Sequence, residues 1–471
     1  MVRFSKDEYL KKLRFNKYKR YLYIDIPCLL VLLIGIYFTY SKFNVFKEKE
    51  VVRTTVGEFI SKDATIGAYI DGEYSKTIPG KNDGYVVDKI SCDNDASASW
   101  NNDFWGIVLT NLTKKTKCNV YFETKRPSLS EVITTAMSNN HDMFASDDPG
   151  KNIRYIGANP DNYVYFNCRD YTNQTADTCE LWRIIGILNN VTKEDGSQEN
   201  LVKIIRNDFI GKYPWDYKMN GVGTSTTDYG SNDWSDSQLM MMLNPTSYLK
   251  SGYTNSNDII YSGNQQLYSK MGSYYNGTKG CQPAAITSGA TFSCTEVDFS
   301  STGLKNDVTR NAIESVVWNL GGTSSYTSAS NGLVSHFYGY ERGTTAYSGH
   351  ATTWTGKIGL MYSSDYGYAT SGGTTKNRNA CLAKELYNWS STYFSDCREN
   401  DYLLDTSSIQ WEMTPTTAGN RHAFYVNVDG SVNNGYVRNA NAIRPTLFLK
   451  SNISVKSGDG SFSVPYQLKI S

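Results

Sequence analysis

The rhythm of hydrophobic and polar positions changes twice along the chain. It begins with a continuous apolar run, "YLYIDIPCLLVLLIGIYFTY" from Tyr21 to Tyr40. Twenty helical residues rise about 30 Å, the thickness of a bilayer's hydrocarbon core. Tyr21, Tyr23, Tyr37 and Tyr40 stand at its two ends, where interfacial aromatics belong. The preceding residues 1–20 carry eight Lys and Arg against Asp7 and Glu8, and the positive-inside rule leaves such a basic tail in the cytoplasm. The pattern predicts a single transmembrane helix over 21–40 and a charged stalk over 41–60, with everything beyond outside the cell. A cleaved signal peptide is the alternative, but no small-x-small cleavage site follows the run.

From residue 61 the pattern becomes short alternating segments separated by turn residues. "TIGAYIDGEY", "GYVVDKISC", "WGIVLTNLT" and "KCNVYFET" predict a small antiparallel, β-sandwich-like module over 61–125, with Trp100 and Trp105 in its core. Residues 126–151 read as a linker with one short helix over 128–139, because Ser128 with Glu131 forms a capping-box pattern. The third stretch, 152–450, mixes strands and helices in one large domain, and 451–471 reads as a terminal strand or tail. "CELWRIIGILNN" and "ENLVKIIRND" predict a hairpin. "NDWSDSQLMMMLN" predicts a helix capped by Asn232 or Ser235, its Met and Leu residues forming a core face. "NDVTRNAIESVVWNLGG" predicts a second helix stopped at Gly321-Gly322, and "GKIGLMYSSDYGYAT" a strand leading into a polar loop. "WEMTP", "HAFYVNVDGSV", "GYVRN" and "IRPTLFL" predict a closing meander in which Val426 and Val428 point inward. Pro445 should start a strand or lie at an edge, and Arg444 should tie loop carbonyls together. The predicted class is α+β.

Composition supports β-rich, loop-rich exterior modules: the chain of 471 residues contains 36 Tyr and 38 Gly. A net charge of +1, concentrated in the first twenty residues, leaves no nucleic-acid footprint. Apart from Cys28, eight cysteines fall into sequence-local pairs: Cys92 with Cys118, Cys168 with Cys179, Cys281 with Cys294 and Cys381 with Cys397. Sequential pairing is the simplest of 105 connectivities, and disulfides agree with an oxidising exterior.

The motifs "LWRIIGIL", "NDWSDSQLMMMLN", "GLMYSSDYGYA", "WEMTP" and "AFYVNVDGSV…IRPTLFL" stand in the order of a bacterial surface-protein domain family of unknown function, the DUF6273 type. The resemblance covers roughly 152–450 and implies a C-type lectin-like or formylglycine-generating-enzyme-like fold. Departures limit what it implies about activity. Gln282-Pro283 is followed by Ala284, so the calcium loop of sugar-binding C-type lectins is incomplete. The formylglycine-generating relatives use reactive cysteines, whereas sequential pairing would account for every exterior cysteine here, so that chemistry is not expected.

Nucleophile-elbow, zincin, P-loop and dinucleotide motifs are missing. His141, His336, His350 and His422 are scattered, so no metal or other cofactor is expected. Three readings follow. The first is a membrane-anchored, non-catalytic binding or adhesion protein with a glycan or surface-protein ligand. Its candidate contact residues are Asn420, Arg421, His422, Tyr436, Arg438, Asn439 and Asn441, because Tyr and Asn are the residue types of adaptable binding loops. The second is an envelope-glycan enzyme with two carboxylates brought together in a deep cleft. The third is a structural spacer.

Overall fold

The computed structural model describes residues 64–112, 114–216, 230–244, 273–283, 294–398 and 402–470. The chain divides into two compact units, one ending at Lys125 and the other beginning at Arg126.

The first unit contains strands β1 (Ala64–Ile70), β2 (Glu73–Ser75), β3 (Tyr85–Cys92), β4 (Ser97–Asn101), β5 (Gly106–Thr110) and β6 (Thr116–Thr124). Four of them form a sheet in the order β2-β1-β6-β3. The sheet is mixed, not antiparallel as expected, because β1 and β6 run parallel. A parallel pair needs a long crossover, and the intervening four strands supply it. The β4–β5 hairpin buries Ile107 and Leu109 against Val120 and Phe122 of β6. Trp100 lies edge-on to Phe122 at 5.3 Å, and Trp105 donates from Nε1 to Pro79 O at 2.7 Å, so both tryptophans serve this core. Cys92 and Cys118 are direct cross-strand partners and are joined by a disulfide.

The second unit is organised around the hairpin of β10 (Glu180–Thr192) and β11 (Gln198–Arg206). Ile184, Ile187 and Leu188 pair with Ile204, Val202 and Leu201, and these six, with Ile185 and Ile205, are buried. A run of adjacent buried apolar residues, in place of alternation, marks a sheet covered on both faces. Its turn closes on Asp195, whose Oδ1 accepts from both the backbone N–H and the hydroxyl of Ser197. The same Asp-Gly-Ser turn chemistry recurs at Asp429 and Ser431.

This hairpin is extended on one side by β22 (Thr446–Phe448) and β17 (Ile358–Gly359). On the other it is extended by β8 (Ile153–Tyr155) and β7 (Phe144–Ala145), while β9 (Tyr163–Phe166) also pairs with β10. β10 changes partner from β9 to β8 at a register shift beside Gly186. Only glycine fits there: a Cβ would lie 2.1 Å from Ile153 O. β22 begins right after Pro445, and Arg444 donates to Arg206 O and Leu403 O, so both sequence expectations for this segment hold.

A second sheet has the order β12 (Lys212–Pro214), β21 (Ala440–Ala442), β18 (Gln410–Pro415), β19 (His422–Val426) and β20 (Val432–Tyr436). Two-stranded pieces complete the unit. They are β13 (Lys279–Pro283) with β14 (Cys294–Asp298), β15 (Val316–Asn319) with β16 (Thr353–Gly356), and β23 (Ser454–Ser457) with β24 (Gln467–Lys469). Helix α1 (Leu129–Asn139) carries the expected capping box between Ser128 and Glu131. Its first residue donates to Ile453 O, so the 126–151 and 451–471 segments are folded into this unit.

The expected α+β class headed by a membrane helix is corrected. The described chain is dominated by sheet, α1 is its longest named helix at 11 residues, and none is long and apolar enough to cross a membrane. The 1–20 tail, the 21–40 apolar run and the 41–60 stalk lie outside the described residues. Three local expectations also change. Helix α2 (Gln238–Leu243) is capped by Ser237, while Asp233 caps a preceding 3-10 turn. Helix α3 stops at Ala312 (Asp307–Ala312), because Val316, Val317 and Trp318, β-branched or aromatic, pair with β16 instead. Val428 is exposed, since the hairpin turn begins there and alternation ends.

Disulfides join Cys168 with Cys179 and Cys381 with Cys397 as well. The Cys281 and Cys294 side chains lie outside the described residues. Three bridges place the chain in an oxidising compartment. Gly186→Ala should lower stability by about 2 kcal/mol or more, since the strand and its partner cannot both keep their positions. Urea unfolding measures this, and a wild-type midpoint for the variant would refute the bulge's role.

Candidate functional site

Two features of the second unit bear on function, and a buried ion cluster positions one of them. Arg154 on β8 is fully buried, with Nε 2.5 Å from Asp148 Oδ2 and Nη1 2.9 Å from Asp365 Oδ1. Lys203 on β11 reaches the other Asp365 oxygen at 2.5 Å. Its ammonium sits within 5.4 Å of the Trp318, Tyr362 and Phe448 ring centroids. Asp365 belongs to helix α5 (Ser363–Tyr368), in which every residue is buried. That helix replaces the polar loop expected after Tyr362. Its serines and aspartate are satisfied internally: Ser363 Oγ donates to Glu412 Oε2, and Ser364 donates by both N–H and Oγ to the Glu341 carboxylate. Burial pushes the Asp365 pKa up, but Lys203 and Arg154 outweigh it and hold the carboxyl well below its usual range. Burial lowers the Lys203 pKa, an effect that Asp365 only partly offsets. Burial raises Glu341, with Arg342 and Ser364 opposing.

The first feature is the exposed end of the β19–β20 hairpin. The antiparallel register places His422 opposite Tyr436, and their ring centroids lie 4.4 Å apart with the planes tilted by 37°. The Arg438 guanidinium lies 5.3 Å from the Tyr436 centroid. Burial, then Arg421, lowers the His422 pKa and favours the neutral ring. The strand's entry is fixed by Asn232, whose Nδ2 donates to Thr416 O, Gly419 O and His422 O. Of the seven sequence candidates, His422, Tyr436 and Arg438 are therefore brought together. Asn420 and Arg421 are half-buried, and their carbonyls accept from Asn232 and Val437. Asn439 is exposed with its carbonyl bound by Trp411 Nε1, and Asn441 lies inside the sheet opposite Tyr213.

The second feature is a recess of about 120 Å³ beside the ion cluster, which the sequence reading did not single out. It is lined by Asn152, by Leu188, Asn189, Asn190, Val191 and Thr192 of β10, by Val317 and Asn319 of β15, and by Tyr338 of helix α4 (Val334–Glu341) and Arg342 just after it. Its floor is made of Trp318, Tyr362 and Phe448, the rings that enclose Lys203. None of its lining residues is Asp or Glu. The acidic Glu341 and Glu412 are fully buried and hydrogen-bonded to serines. The recess thus lacks the carboxylate pair that a glycosidase-type cleft requires. Among the described residues, no three His, Cys, Asp or Glu side chains converge as a metal site.

No protein-family model, curated protein or solved structure matches this chain.

Asp365→Asn would leave Arg154 and Lys203 buried with one anion fewer, and should cost about 3–5 kcal/mol in urea unfolding at neutral pH. A depressed carboxyl stabilises above its unfolded pKa, roughly 3.9, and loses that contribution as pH falls through the lower folded value. The gap between wild type and Asp365→Asn should therefore narrow below about pH 4. A gap independent of pH would contradict the ion-cluster account.

Proposed function

We propose that this protein is a non-catalytic extracellular binding protein whose large unit contacts a glycan or a surface protein through the exposed end of the β19–β20 hairpin. The observation that carries the reading is the group His422, Tyr436 and Arg438, gathered at the end of a hairpin whose entry loop is held by Asn232. A phenol flanked by an imidazole and a guanidinium offers apolar ring surface together with directional donors, the combination that protein and sugar recognition use. His422 and Tyr436 stand on paired strands, with Arg438 in the turn just beyond, so little ordering entropy opposes binding at the two rings. The disulfides support an exterior location, and the motif order resembling bacterial surface domains supports the same reading.

A glycan and surface-protein array probed with the wild type should give ligands whose binding falls about tenfold or more in Tyr436→Ala with Arg438→Ala. Thermal stability of that variant should stay near wild type, since both side chains lie outside the core. If every detected interaction survives in the double variant, the hairpin is not the contact surface. If the wild type itself binds nothing, the spacer reading replaces this one.

A further inference from the structure

We propose that the recess beside Arg342 is a second binding site, separate from the hairpin, for a compact organic carboxylate bearing hydroxyl groups. Four observations lead there. Arg342 is only partly exposed, and its guanidinium is laid flat over the Tyr338 ring at 3.5 Å, which fixes the plane of its donors. Nη1 is used by Tyr338 O and Glu341 Oε2, while Nε and Nη2 have no hydrogen-bond partner among the described residues. A fixed guanidinium edge matches the two oxygens of a carboxylate.

The lining has no carboxylate of its own. Glu341 behind the wall engages only Nη1, so the Nε–Nη2 edge is the charged group that the recess presents, and it favours an anion. Leu188, Val191 and Val317 contribute to the wall, but its polar groups are amides and hydroxyls. The backbone of Asn319 is occupied by the Tyr362 hydroxyl, leaving its side-chain amide without a partner among the described residues. Asn189 uses its Nδ2 on Gly150 O and Lys151 O, which leaves its Oδ1 as an acceptor. Thr192 and Asn190 add further polar groups at the mouth. These amides and hydroxyls are partners for ligand hydroxyls.

The floor sets the size limit. Trp318, Tyr362 and Phe448 are buried and contribute no broad open platform for stacking, so an extended aromatic ligand or a long oligosaccharide has nowhere to lie flat. With about 120 Å³ available, one carboxylate and a few hydroxyls fit. An acidic monosaccharide and a small hydroxy acid share that chemistry.

Titration calorimetry of the purified full chain with glucuronate, glycerate, glucose and sulfate tests the idea. Glucuronate or glycerate should bind, and glucose should bind at least about tenfold more weakly. Glucuronate alone would identify an acidic sugar; both carboxylates would identify the carboxylate with its neighbouring hydroxyl as sufficient. Arg342→Gln should weaken binding about tenfold or more, with Arg342→Lys recovering part of it. Arg342→Gln could disturb Tyr338 packing, so Asn319→Asp provides a second arm: it changes little volume and places a negative charge beside the ligand, and it too should weaken binding about tenfold or more. The hairpin variant Tyr436→Ala with Arg438→Ala should leave this binding unchanged, which separates the two sites. Glucose binding as well as glucuronate, sulfate displacing both carboxylates, no carboxylate binding at about 10 mM, or unaltered binding in Asn319→Asp would each overturn the proposal.

Discussion

The second unit depends on one carboxylate. Asp365 is held by Arg154 from β8 and Lys203 from β11, and it also accepts from the Tyr362 backbone at the start of α5. Two strands of the large sheet and a fully buried helix are thereby joined at a single point. A buried ion cluster adds little net stability compared with apolar packing, but removing one member strands the others. Its effect is to specify geometry: helix α5 has one register in which Asp365 meets both cations. The recess floor inherits that geometry, because the rings around Lys203 are the rings the recess exposes at its base.

Features dictated by neighbouring residues were legible in the sequence. The β10–β11 hairpin follows from two apolar runs around Asp195-Gly196-Ser197, and the α1 boundary from Ser128 and Glu131. Pro445 starts a strand because it lacks a donor, and the Arg444 role follows from its position beside it. The cysteine pairs are short-range and could be read by proximity alone. What failed was the assignment of segments whose neighbours come from elsewhere. "SSDYGY" is polar enough to read as a loop, yet Glu341, Glu412, Arg154 and Lys203 satisfy it inside the protein. "SVVWN" followed a helical pattern, but pairing with β16 made it a strand.

The two surfaces divide in the same way. His422 and Tyr436 face each other across one hairpin, so sequence alone placed them near each other. The recess is assembled from β10, β15, α4 and the segment leading into α5, and more than 150 residues separate its Asn190 from its Arg342. No local pattern connects those pieces. An arginine at the C-terminus of a short helix has an ordinary reading, and only its flat seat on Tyr338 distinguishes it.

The observed disulfides span 11, 16 and 26 residues. Loops that short close at small entropic cost, and lengthening them would raise that cost only logarithmically. Each bridge therefore needs only its own stretch of chain to be present. A polypeptide threaded through a pore, arriving residue by residue, can close each of these three bridges in the order it emerges, with none of their six cysteines waiting for a distant mate.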